Sequence, residues 1–183
     1  MKDTWGCSDL AALNQLYKDP SMSDFLHDTK PAKVLVVCMG NICRSPTMEA
    51  VLKHTATQQG LNLEVDSAGT IAYHQGNPPD RRSAAAAHKR GYNLSSIRAR
   101  QVQPQDFEYF DLILCADEQN LADLHAKCPG QYQHKLALFL RYGEQPHDEV
   151  PDPYYGGGDG FELVLDLVEQ ASNNIITKLS KLS

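Results

Sequence analysis

The stretch VLVVCMGNICRSP, residues 34–46, holds two cysteines, an asparagine and an arginine between an apolar run and a proline. Cys38 and Arg44 enclose Met39, Gly40, Asn41, Ile42 and Cys43. If those five residues curl inward, their backbone N–H groups form a nest that holds an anion. Gly40 and Asn41 are the residue types that accept the left-handed backbone angles of a tight curl. A helix starting just after the curl adds its N-terminal amides and the positive end of its dipole. The planar fork of Arg44 matches two oxygens of a phosphate. Such a pocket suits a tetrahedral dianion. The same amides and helix end stabilise a thiolate, the nucleophilic form of cysteine. With a further hydrogen bond from Ser45, Cys38 is expected to act as an anion aimed at phosphorus.

Departure of an aryloxide or alkoxide from phosphorus needs a proton. VPDPYYG supplies a candidate in Asp152, held between two prolines that restrict its backbone. Its carboxyl can protonate the leaving oxygen and then activate water against the phosphocysteine. Tyr154 and Tyr155 beside it can line a slot for an aromatic leaving group.

Alternating strands and helices must position these groups. KVLVVCM (33–39) reads as a buried parallel strand. The next helix would start with Ser45 as its N-cap and Pro46 in its first turn. Leu63–Val65 predicts a second strand ending at DSAG. A Pro/Gly-rich loop (71–82) leads to an alanine-rich helix that Gly91 can end. DLILC (111–115) predicts a third strand, with Asp117 capping the following helix, and KLALFL (135–140) a fourth. In the last helix Phe161, Val164, Leu165, Val168, Ile175 and Leu179 recur at helical spacing as a core stripe. The pattern predicts an α/β fold: a four-stranded, parallel, open twisted sheet with helices on both faces. Ligands in such folds bind beyond the C-terminal ends of the strands, where the Cys38 loop sits.

The chain of 183 residues fits one domain over 31–183, with an N-terminal extension over 1–30. In that extension Ser8 can cap a short helix carrying Leu10, Leu13, Leu16 and Tyr17, stopped at Asp19-Pro20. A net charge of −6 without a basic block argues against nucleic-acid binding. Five cysteines, an odd number, form no secreted framework. No signal peptide and no bilayer-length apolar run are visible, so a cytoplasmic location with reduced thiols and no membrane insertion is expected. The seven histidines show no metal-ligand spacing.

At CMGNICRS (38–45) and DPYY (152–155) the chain resembles the low-molecular-weight protein tyrosine phosphatases. DSAG (66–69), PPDRR (78–82), RARQ (98–101) and LCADEQN (114–120) extend the likeness, and the GGGDGFE ending looks like bacterial members. The resemblance implies a flavodoxin-like fold and a cysteinyl-phosphate mechanism with no cofactor and no metal. It makes Cys38 the nucleophile, Arg44 the phosphate clamp and Asp152 the acid and then base. Ser45 and Asn41 would shape the loop, with Ser67 supporting it. Tyr73, Tyr154 and Ile42 would flank the phosphotyrosine ring. Substrates would be phosphotyrosine proteins, with a bacterial tyrosine kinase as candidate partner, and phosphate or other oxyanions would occupy the site.

Ile97 stands where many relatives carry a histidine, so Glu49 and Ser67 are expected to need other partners. Glu49 itself reads as helix surface. Cys43 can form a reversible disulfide with Cys38, or simply fill space. A rival function is a thiol-dependent arsenate reductase, which would need Cys115 and Cys128 as a relay. A second is a noncatalytic phosphotyrosine-binding module, which would be expected to lack the nucleophile or the acid.

Overall fold

The computed structural model describes residues 32–182; the proposed N-terminal extension and its helix lie outside the described residues. Four parallel strands, β1 (Ala32–Cys38), β2 (Leu63–Gly69), β3 (Leu112–Cys115) and β4 (Leu136–Leu138), lie in the order β2-β1-β3-β4. Among the described residues six α-helices accompany them, α1 (Arg44–Gln58), α2 (Arg81–Lys89), α3 (Pro104–Tyr109), α4 (Glu118–Lys127), α5 (Phe139–Tyr142) and α6 (Gly158–Ser180), with a 3-10 helix at Gly130–Lys135. The open, all-parallel α/β architecture matches the sequence expectation.

The unbroken apolar run of β1 has a physical cause: both faces of the strand are covered. Val34, Val36 and Cys38 join a cluster with Met48 and Leu52 of α1 and Val164 and Val168 of α6. Leu35 and Val37 point the other way, to Phe107 of α3 and Leu124 of α4. Full burial of each such side chain contributes about 1.5–3 kcal/mol. The strand's two-residue period therefore puts Cys38 on the α1 face, while its neighbour Val37, paired with Cys115, faces α3 and α4.

Three expectations change. β4 covers only Leu136–Leu138; Phe139 and Leu140 are fully buried but belong to α5. A short apolar run reports burial without distinguishing strand from helix. α3 was not foreseen, although Pro104 occupies its first position and Asp106 accepts a hydrogen bond from the Gln103 N–H at 2.7 Å. Finally, α1 starts at Arg44, with Cys43 at the cap position and no side-chain cap, so Ser45 is not the N-cap. Its hydroxyl has other partners.

The ends of β1, β2 and β3 are stitched together. The Ala116 N–H donates to Val37 O at 2.8 Å and the Val150 N–H to Ala116 O at 2.8 Å, which ties the loop before Asp152 to the sheet. Gly69 closes β2 against the cysteine loop: a Cβ there would lie 2.6 Å from Met39 O, a backbone atom that cannot step aside. Gly69→Ala is therefore expected to destabilise the fold by about 1–3 kcal/mol. Denaturant unfolding measures it, and an unchanged midpoint would contradict the close approach.

Candidate active site

Beyond β1 the chain turns so that its carbonyls point outward. Cys38 O accepts from the Thr70 N–H at 2.9 Å, Met39 O from Ile71 at 3.2 Å and Ile42 O from Asp80 at 2.8 Å. Cys43 O accepts from the hydroxyls of Thr47 at 2.9 Å and Ser83 at 3.3 Å. In a trans peptide the N–H points opposite to its C=O. The outward carbonyls thus turn the amides of Met39, Gly40, Cys43 and Arg44 toward the concave side. Amides so arranged have the geometry of an anion nest. Asn41 alone takes the left-handed conformation, φ 55°, whereas Gly40 does not. A Cβ at position 40 would come within 2.9 Å of the His74 ring, so a side chain there would have to displace that ring.

Asn41 fixes the loop from behind. Its Oδ1 accepts from the Arg100 N–H at 2.9 Å, which orients the amide. Its Nδ2 then donates to Ser45 Oγ at 2.8 Å and Ser67 Oγ at 2.9 Å. Ser45 Oγ lies 3.1 Å from Cys38 Sγ and 3.3 Å from Ala68 O. Against an ionised sulfur the hydroxyl must be the donor, since a thiolate has no proton to give. Ser67 Oγ donates to Glu49 Oε2 at 2.5 Å, and Lys53 Nζ donates to Glu49 Oε1 at 2.5 Å. Glu49 is buried, so it is not helix surface, and Lys53 and Ser67 are its partners in a chain with Ile97. Asn41, Ser45 and Ser67 sit behind the loop and not on the cleft wall.

Arg44, only 3% exposed, is spread across three acceptors. One nitrogen donates to Asp117 Oδ2 at 2.5 Å and Val150 O at 3.3 Å; the other reaches Asp152 Oδ2 at 3.1 Å. Burial weakens its charge, but the neighbouring anions at Cys38, Asp117 and Asp152 outweigh that and raise its pKa. Asp117 was expected only as a cap. It does cap α4, accepting from Asn120 N at 2.7 Å, and it also anchors the clamp. The available signal was its place just past the end of β3, beside the end of β1.

Cys38, Met39, Gly40, Ile42, Cys43, Arg44, Tyr73, Asp152, Tyr154 and Tyr155 line one cleft of about 340 Å³, together with Ile71 and His74, which sequence reasoning missed. Asp152 Oδ1 accepts from the Tyr154 N–H at 3.1 Å, and Arg82 holds Tyr154 O at 3.1 Å. Tyr73 and Tyr155 are highly exposed at the mouth. A larger open groove of about 600 Å³, between Glu118, His147, Leu163 and Leu167, contains neither thiol nor arginine.

The described cysteines, Cys38, Cys43, Cys115 and Cys128, are all free. Burial, aided by Asp80 and the anions of the cleft, pushes Cys43 up to about 12, so it stays a thiol at neutral pH. Burial also raises Cys115 and Cys128. Among these four, brief iodoacetamide treatment at pH 7 is expected to label Cys38 first, with peptide mass spectrometry as the readout. Faster labelling of Cys43, Cys115 or Cys128 would contradict the assigned electrostatics.

Residues 33–183 match the family described as "Low molecular weight phosphotyrosine protein phosphatase". A putative low molecular weight protein-tyrosine-phosphatase of Synechocystis is 50% identical over 153 residues, covering 81% of this chain and 97% of that protein. The human low molecular weight phosphotyrosine protein phosphatase is 44% identical over 135 residues, 72% of this chain and 85% of its own. A crystal structure of a protein tyrosine phosphatase from Entamoeba histolytica, with Hepes in the active site, superposes with a TM-score of 0.79 at 42% identity. It covers 82% of this chain and 97% of that one. The match along nearly all of the described fold, with the thiol, arginine and aspartate gathered in one cleft, places the chain in the low molecular weight phosphotyrosine protein phosphatase family.

Proposed function

We propose that this phosphatase cleaves phosphotyrosine through a covalent phosphocysteine at Cys38, with Arg44 as clamp and Asp152 as acid and then base. The observation that carries the reading is the convergence of all three side chains on one cleft, with Asp152 hydrogen-bonded to Arg44. The phosphoryl group enters the nest, and the arriving dianion competes with Asp152 for the guanidinium. Asp117 keeps hold of the other nitrogen, so the clamp does not drift. Displaced from Arg44, the Asp152 carboxylate takes up a proton from solvent. The Cys38 sulfur then forms a bond to phosphorus as the bond to the tyrosine oxygen breaks, and Asp152 passes that proton to the departing oxygen. Water then attacks the phosphocysteine, Asp152 takes its proton, and thiolate and phosphate are released. The nest amides and Arg44 stabilise the charge on the equatorial oxygens throughout.

Met39, Ile42, Tyr73 and Tyr154 flank the aromatic ring in this reading, with Tyr155 at the mouth. Exposed Met39, Ile71, Tyr73 and Tyr155 rim the entrance, which favours a protein surface over a small metabolite. A bacterial tyrosine kinase is the proposed partner, in keeping with the GGGDGFE ending. We place the enzyme in the cytoplasm, where a reducing milieu keeps its nucleophile free. Among the described residues no helix is long and apolar enough to cross a membrane.

The arsenate reductase reading finds little support. A thiol relay needs sulfurs that can meet, yet Cys38 and Cys43 pack on one face of the sheet and Cys115 and Cys128 on the other. A binding-only module would have no use for both the nucleophile and the acid.

Two experiments test the assignment. Cys38→Ser is expected to abolish release of phosphate from p-nitrophenyl phosphate while retaining inorganic phosphate binding by calorimetry; residual turnover near the native rate would require another nucleophile. Asp152→Ala is expected to slow phenyl phosphate by about 10²–10⁴-fold and the activated nitrophenyl ester far less. An equal loss on both esters would remove Asp152 from the acid role.

A further inference from the structure

We infer that Lys53, on the exposed side of α1, is a positioning residue for the nucleophile, acting through Glu49, Ser67, Asn41 and Ser45. The inference rests on the reading of Cys38 as the attacking group. An i,i+4 lysine–glutamate pair on a helix is ordinarily a solvated contact of little consequence. This one differs at the glutamate end. Lys53 is 51% exposed, but the Glu49 side chain is 5% exposed, and both of its oxygens are committed, Oε1 to Lys53 and Oε2 to Ser67.

The proton inventory makes the chain directional. A carboxylate only accepts, so the single proton of Ser67 is spent on Glu49 and its oxygen is left to accept from Asn41 Nδ2. The Arg100 N–H on Asn41 Oδ1 prevents that amide from turning over. The second Nδ2 hydrogen goes to Ser45 Oγ, so the Ser45 proton is available to Cys38 Sγ, with Ala68 O as its competitor. Every link from Glu49 to Ser45 is buried. The charge that holds the buried carboxylate at the far end comes from Lys53. Without it, Glu49 keeps a lone hydroxyl donor for a nearly dehydrated anion. Relaxation there moves Ser67 and Asn41, and with them the hydroxyl that faces the sulfur.

The full-length protein serves for the test, with Lys53→Met and Lys53→Arg. Two rates are read: kcat for p-nitrophenyl phosphate and the second-order rate of Cys38 carboxymethylation by iodoacetate. Lys53→Met is expected to lower both by about fivefold with KM changed less than twofold, and Lys53→Arg to recover both. A purely structural lysine would alter the melting temperature without moving the Cys38 rate. The double variant Lys53→Met, Ser67→Ala separates the path: acting through Ser67, it is no slower than Ser67→Ala alone. Native rates in Lys53→Met, failure of arginine to restore them, or additive losses in the double variant would overturn the coupling. Loss of activity on carboxymethylation of Cys38 in the native enzyme checks the nucleophile separately, so each reading can fail alone.

Discussion

A phosphate-binding loop must leave several N–H groups unpaired among themselves and aimed at one point, an arrangement that ordinary secondary structure prevents. Here the solution lies outside the loop. The carbonyls of Cys38, Met39, Ile42 and Cys43 are drawn outward by Thr70, Ile71, Asp80, Thr47 and Ser83. Each outward carbonyl turns the following amide inward. Asn41 holds the one left-handed residue of the turn with three side-chain hydrogen bonds. The cradle is thus a product of the strand ends and of α1 and α2, and its shape is fixed before any anion arrives.

Charge in the site is handled by competition. A chain with net charge −6 attracts an anion only through local structure. Its cleft contains a buried guanidinium already shared by two carboxylates. The two differ in exposure: the Asp117 side chain is 21% exposed and that of Asp152 42%. Asp117 is tied to the start of α4, whereas Asp152 lies on a partly exposed loop and is the one an oxyanion can displace. In the proposed mechanism, substrate binding and release of Asp152 are in this way a single exchange on one arginine.

Much of this was legible in the residues. The β1 run, the Cys-to-Arg spacing and the proline-flanked Asp152 each carry a local physical signature, and all three led to the same cleft. What escaped was set by tertiary contacts. Ser45 reads as a cap because Ser-Pro ahead of a helix normally is one; packing of Cys38 and Asn41 against it took the hydroxyl elsewhere. Gly40 reads as a left-handed glycine, but what a side chain there would meet is the ring of His74, a neighbour in space only. Glu49 reads as solvated, since a charged residue on a helix usually is, but it is buried and takes a hydrogen bond from Ser67 at the end of β2. Phe139 and Leu140 show that apolarity alone signals enclosure and leaves the backbone state open.

The segment bearing Asp152 is pinned twice, by Val150 to the end of β3 and by Arg82 at the Tyr154 carbonyl. These two contacts tie the segment to the sheet end and to α2 on either side of Asp152. Asp152 between them is partly exposed, so bulk solvent has access to the cleft as soon as the tyrosine departs. In the proposed reaction the two halves are then joined by diffusion of one water molecule into a vacated seat beside the same carboxylate.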